Sequence, residues 1–275
     1  MLIHQTAEKL RSMKLPAMAA EYVRQAESPD MDALDFSERF GMLADAEWLA
    51  RKNNRVRKLV ADAKLRVPAA CFADLDYRPS RKLDRAYLAR LSDFSWVREA
   101  KNVIITGCTG TGKTWLACAF GAEACRKGLR VSYQRVTRLL NDLAAASASG
   151  DLAKLLNRLK KADLLILDDW GLNTLTPPEG RLLLEVFEDR FAEGSTVIAA
   201  QLPVSKWHGL FEDSTAADAV LDRVVHNSYR FVLQGPSLRR QGSENEVDQP
   251  VSDSDNGDSS NDPVARPSEE VAPML

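Results

Sequence analysis

Gly107-Cys108-Thr109-Gly110-Thr111-Gly112-Lys113-Thr114 decides the fold of this 275-residue chain. The octapeptide fits GxxxxGK[ST]; it follows the apolar β-type run 103–106 and opens the helical stretch 114–126. Glycines let main-chain N–H groups converge on phosphate oxygens without obstruction from a Cβ, and a helix N-terminus adds partial positive charge. Lys113 has the reach for the β- and γ-phosphates of a nucleotide such as ATP, and the Thr114 hydroxyl can ligate Mg²⁺.

Outward from this loop, short β-rich runs at 103–106, 131–133, 164–167, 196–200 and 231–233 alternate with helical patterns at 114–126, 152–160, 178–191 and 217–225. Buried strands alternating with helices predict an α/β fold, a parallel sheet covered on both faces. The run Leu164-Leu165-Ile166-Leu167 ends in Asp168-Asp169, 55 residues beyond Lys113. Two carboxylates leaving a strand at its C-terminal edge stand where such sheets bind ligands. Asp168 is the candidate Mg²⁺ holder, and Asp169 the candidate that orients and deprotonates the attacking water. Gln201 ends the strand 196–200 and is a candidate γ-phosphate sensor, or else a loop amide bonded to backbone. Arg223 lies near the end of a helix, before the last strand. It suits a solvated or Asp-paired side chain or, in an oligomer, an arginine finger that reaches a neighbour's nucleotide. Arg239 and Arg240 are candidates for a second sensor.

Composition bounds the rest. With 45% apolar residues the chain can bury a core, which excludes whole-chain disorder. The apolar runs 164–167 and 197–200 are far too short to span a bilayer, and the N-terminus lacks a signal-peptide pattern, so a cytoplasmic location is expected. Cys71, Cys108, Cys118 and Cys125 form no CxxC pair and are expected as buried free thiols. The net charge of −2 averages unlike regions: 241–275 carries nine acidic residues and one Arg, which leaves the remainder at +6. That acidic stretch has no aromatic residue and is expected to be disordered.

Residues 1–70 read as a helical domain. Asp35 and Glu38 offer a reciprocal cap for a long helix from 37 to about 65, stopped by Pro68. Residues 71–100 are mixed, broken by Pro79 and helical again at 83–91; they are expected to connect into the phosphate-binding α/β core at 101–240. Trp48 and the other four Trp residues are expected in the core rather than as platforms for stacking bases.

The phosphate loop, Asp168-Asp169-Trp170-Gly171-Leu172, Gln201-Leu202-Pro203-Val204-Ser205-Lys206-Trp207-His208 and Leu221-Asp222-Arg223-Val224-Val225-His226-Asn227 together resemble the IstB-type ATPases. These are transposition helpers of insertion sequences, related to DnaC-type helicase loaders and DnaA-type initiators. The resemblance spans about 1–240. It implies an AAA+ P-loop core behind a small all-α N-terminal domain, assembly on double-stranded DNA with ATP as an oligomer, and stimulation of a cognate transposase. It also assigns Lys113 and Thr114 to the Walker A motif, Asp168 and Asp169 to Walker B, Gln201 to sensor 1, and Arg223 to the arginine finger. Residues 107–115 and Arg239 are implied nucleotide contacts. Trp115 stands where relatives often have His, Asp169 where many AAA+ proteins have Glu, and Pro236 interrupts the usual Gly-Glu-Ser.

Arg51, Lys52, Arg55, Arg57 and Lys58 put five cations into eight residues. On a helix, Arg51, Arg55 and Lys58 share one face, which suits either solvent or a phosphate backbone; the resemblance to DNA-associated proteins favours the second. A helicase loader is the alternative function. A small-molecule P-loop kinase is disfavoured, because no lid or acceptor motif is evident.

Overall fold

Asp35 starts the longest helix through the reciprocal cap that the sequence suggests: its carboxylate accepts from the Glu38 N–H at 2.8 Å, and the Glu38 carboxylate accepts from the Asp35 N–H at 3.0 Å. The computed structural model describes residues 2–238; the expectations for Arg239, Arg240 and 241–275 lie outside the described residues. Helices α1 (Leu2–Ser12) and α2 (Pro16–Glu27) precede α3 (Phe36–Ala63), which ends where Lys64 turns left-handed at φ 51°. Gly41 does not interrupt α3. Buried Glu47 on α3 accepts the N–H groups of Ala17 and Met18 at 3.0 and 3.1 Å. A carboxylate there satisfies orphan donors and the positive end of α2, so one side chain docks α2 onto α3. Two short helices follow, α4 (Arg85–Arg90) and α5 (Ser95–Arg98).

The chain then forms β1 (Asn102–Gly107), α6 (Lys113–Arg126), β2 (Val131–Arg135), α7 (Val136–Ser149), α8 (Leu152–Lys160), β3 (Leu164–Trp170), α9 (Pro177–Arg190), β4 (Ser195–Ala200), α10 (Ser214–Val225) and β5 (Ser228–Leu233). All strand pairs are parallel, in the order β2-β3-β4-β1-β5. Alternation divides the sheet between two cores. Val103, Ile105, Leu164, Ile166, Val197 and Ala199 pack with α6 and the segment 63–97. Ile104, Leu165, Leu167, Ile198 and Ala200 pack with α7 to α10. This order puts the C-terminal ends of β1, β3 and β4 side by side.

Four expectations need correction. Helix α7 has no counterpart in the sequence reading: it follows β2 directly, without a side-chain cap at Arg135, and its Ala- and Ser-rich second half hides the apolar stripe of Leu139, Leu140 and Leu143. Strand β3 runs through both aspartates to Trp170, with a register shift between Leu167 and Trp170, so Asp168 stays inside the sheet. Only Cys118 and Cys125 are buried; Cys71 is half-buried and Cys108 exposed. Trp96, Trp170 and Trp207 are core residues, whereas Trp48 is 59% exposed with the Lys52 ammonium over its ring at 4.8 Å.

Arg190 closes α9 from inside. Its guanidinium donates to the carbonyls of Leu159, Ala162 and Ser195 at 2.7, 2.8 and 2.6 Å, joining the end of α8 to the start of β4. Burial lowers its pKa to about 10, so it remains a cation at neutral pH. Arg190→Met strands three acceptors. The expected loss is about 3 kcal/mol or more, a fall in melting temperature of roughly 6–12 °C. Arg126→Met, which removes an exposed pair with Glu123, should cost less than about 1 kcal/mol. Thermal melts of both variants test this; equal melting points would remove the structural role of Arg190.

Candidate functional site

Buried β1 delivers the phosphate loop to the middle of the sheet, and the loop is shaped by glycine where no other residue fits. A Cβ on Gly107 would lie 2.4 Å from the Leu233 carbonyl oxygen, and one on Gly110 would lie 2.1 Å from Ser237 Oγ. The Thr111 hydroxyl and the Lys113 ammonium each donate to the Cys108 carbonyl at 2.8 Å. Helix α6 begins at Lys113, so its free N–H groups and positive dipole end face the loop.

Thr114 Oγ1 donates to Asp168 Oδ2 at 2.9 Å, which brings the end of β3 to the start of α6. Asp168 is 1% exposed and accepts two further bonds, from the Tyr133 hydroxyl at 2.6 Å and the Asp169 N–H at 2.9 Å. Burial and the neighbouring Asp168 carboxylate push the Tyr133 phenol well above its ordinary pKa, so it stays a donor. A hydroxyl and a carboxylate this close form a hard-oxygen pair of the kind that suits Mg²⁺, with phosphate and water supplying the other ligands.

Asp169 has a left-handed backbone, φ 60°. Its carboxylate accepts from Arg135 Nε at 2.8 Å, with Arg66 at 3.9 Å. Gln201 follows β4, and its side-chain oxygen accepts from the Thr109 hydroxyl at 2.9 Å, so it reaches the phosphate loop itself. Lys113, Thr114, Asp168, Asp169 and Gln201 therefore gather at one edge of the sheet. Arg223 does not join them. Its carbonyl accepts from Asn102, the first residue of β1, while the loop begins at the last. Six residues of strand separate the two ends by about 17 Å. The Arg223 guanidinium instead meets Glu188 at 3.0 Å. Of the basic run, all five residues are exposed on α3. Arg51 is tied to Glu47 and to the Lys14 carbonyl, and Arg57 to Asn54.

One functional residue escaped the sequence reading. Arg81 is 4% exposed and donates to the carbonyls of Thr111 at 3.2 Å and Pro236 at 3.0 Å, clamping the phosphate loop to the segment after β5. Behind it, the Arg78 guanidinium, helped by Arg81, holds the Asp76 carboxyl down to about 2. Next to the clamp, Leu75, Leu83, Trp115, Leu116, Leu233 and Leu238 line a largely apolar cavity of about 350 Å³ that opens on Thr111 and Gly112. The buried Trp115 Nε1 has no hydrogen-bond partner. An apolar slot beside a phosphate cradle fits a nucleoside. No motif announces Arg81, since its partners are main-chain carbonyls far away in sequence.

Comparison with known proteins agrees with this geometry. Residues 6–246 match the family described as IstB-like ATP binding protein. An insertion sequence ATP-binding protein of Sinorhizobium fredii is 44% identical over 240 residues, 87% of this chain and 98% of that protein. The ATP-binding protein of insertion sequence IS1162 from Pseudomonas fluorescens is 42% identical, covering 74% of this chain and 89% of that one. Among solved structures, AMPPCP-bound DnaA from Aquifex aeolicus superposes with a TM-score of 0.52 at 19% identity, over 66% of this chain and 55% of DnaA. DnaI gives 0.52 at 17% identity, over 65% and 94%. The structural likenesses establish the AAA+ fold, the sequence relatives establish the kind of protein, and the chain belongs to the IstB-like ATP-binding family of AAA+ ATPases.

Proposed function

We propose that this ATPase is a DNA-binding regulator of transposition that assembles on duplex DNA as a homo-oligomer and stimulates a partner transposase. The observation that carries the proposal is its relatedness, over nearly their whole length, to ATP-binding proteins of insertion sequences. In this proposal 1–70 serve DNA binding and assembly, 71–100 wall the nucleoside slot, and 101–240 form the ATPase core.

Lys113 and the loop N–H groups bind the β- and γ-phosphates, and the slot beside Trp115 takes the nucleoside. Thr114 and Asp168 hold Mg²⁺, which when bound neutralises charge developing on the phosphate oxygens. Tyr133 keeps the Asp168 carboxylate turned toward Thr114. Asp169 takes the proton of the attacking water when its Arg135 pair opens, and Gln201 orients that water against Thr109. Arg223 acts on the neighbouring subunit's nucleotide, consistent with its distance from its own loop. Among the described residues no helix is long and apolar enough to cross a membrane.

Particle mass on duplex and on single-stranded DNA, with ATP, ADP or no nucleotide, tests the function. Large particles on duplex that require ATP are expected. Preference for single strands, or indifference to DNA, would replace the proposal with a helicase loader.

Three further outcomes follow from the residue roles. Asp169→Asn should retain nucleotide binding while turnover falls about 100-fold or more, whereas Lys113→Ala should lose binding. Arg223→Ala should bind ATP without turnover, and mixing it with Asp169→Asn should restore part of the rate, because each supplies what the other lacks across an interface. Unimpaired hydrolysis by Arg223→Ala would end the finger assignment. Iodoacetamide should label the exposed Cys108 first, and Mg-ATP should protect it. Cys118 and Cys125 should stay unlabelled, since burial pushes both thiols up, Cys125 to about 11. Peptide mass spectrometry reads this; labelling of Cys108 indifferent to nucleotide would contradict loop occupancy.

A further inference from the structure

A cluster of exposed cations lies beyond the nucleotide site, on the free side of edge strand β2. A groove of about 570 Å³ runs between the end of α3, the outer side of β2 and the helices α7 and α8. Lys64, Arg130, Arg135, Arg138, Arg158 and Lys161 line it, against Asp62 and Asp142. All six cations are exposed. Arg130 is held by Asp163 at 2.7 Å and Arg135 by Asp169 at 2.8 Å. Lys64, Arg138, Arg158 and Lys161 have no ion-pair partner among the described residues. The six come from four different elements, α3, β2, α7 and α8, and their flanks, so no single solvated helix face accounts for them.

We infer that this groove binds the sugar-phosphate backbone of duplex DNA, a site that rests on the DNA-binding proposal above and locates it. Four unpaired cations supply the charge complement of a polyanion. Strand β2 pairs only with β3, so its outer edge also presents main-chain groups of the kind that contact phosphates. Five residues of β2 span about 13 Å, over which one strand of a duplex rises past about four phosphates. Single-strand binders stack bases on exposed aromatics. Here the one aromatic lining residue, Tyr133, is buried with its hydroxyl committed to Asp168, which favours a duplex.

The groove also sorts the basic run of α3. Leu59 and Asp62 line it, and Arg55 lies four and seven residues before them, with Lys52 seven before Leu59. At helical spacing Arg55 and Lys52 therefore extend the groove's floor, while Arg57 faces away.

The test measures binding of the full chain, with a non-hydrolysable ATP analogue, to a fluorescein-labelled duplex across a salt series. The variant Arg138→Ala/Arg158→Ala/Lys161→Ala removes three exposed groups that touch nothing in the nucleotide site. It should weaken binding by about tenfold or more near 0.1 M salt and flatten the slope of log K against log salt by about 2–3. DNA-free ATPase activity should stay unchanged, which reports the fold. A control, Arg90→Ala/Lys127→Ala/Lys206→Ala, removes equal charge elsewhere and should leave the slope unaltered. Equal effects of the two triples, or none from the first, would overturn the groove while leaving DNA binding in place. Loss of polyglutamate binding with DNA binding unchanged would also overturn it, in favour of an acidic peptide. Failure of the wild-type chain to bind duplex would instead sink the DNA-binding proposal and the groove together.

Discussion

A carboxylate shut away from solvent governs the arrangement of this molecule. Burying Asp168 costs several kcal/mol unless donors surround it, and its three come from different places: Thr114 at the start of α6, Tyr133 on β2 and the N–H of Asp169 within β3. Each donor fixes the element that bears it. The helix that opens the phosphate cradle, the edge strand and the inner strand are thereby held in one register by a single side chain. Glycine geometry then shapes the loop, and Arg81 secures its outer flank.

What the sequence made legible was local. Four apolar residues in a row identify a strand buried on both faces, and the glycine spacing of the loop identifies its use, because both depend on neighbours in the chain. The cap of α3 was readable for the same reason. Contacts that join distant segments were not. Arg81 meets the carbonyl of Pro236, and any residue could have supplied that carbonyl. The pair of Arg135 with Asp169 exists because β2 and β3 run in register, Arg135 beside Asp168, which no single segment encodes. Helix α7 was missed because its start lacks a capping residue and its stability comes from Leu139, Leu140 and Leu143 packing on the sheet.

The two edges of the sheet are protected in different ways. At β5, exposed Arg230 and Val232 alternate with buried Phe231 and Leu233, so the outward face of the edge strand carries a charge. At β2, Arg130 and Arg135, paired with Asp163 and Asp169, bracket the strand, and α3 packs against it. Charged side chains and a covering helix at an edge discourage pairing with another copy's strand.

The backbone of Asp169 carries a consequence of its own. Left-handed main chain costs an ordinary L-residue about 1–2 kcal/mol, but Asp, Asn and Gly enter it readily. The position is thus a filter on inheritance as well as a source of acid: substitutions that pass are those with short polar side chains or none. Alanine would mix a lost carboxylate with a reshaped turn, whereas glycine would remove the carboxylate alone. The longer Glu of many AAA+ proteins would carry the backbone penalty at this position. The shorter acid thus suits the left-handed backbone that places it beside Asp168.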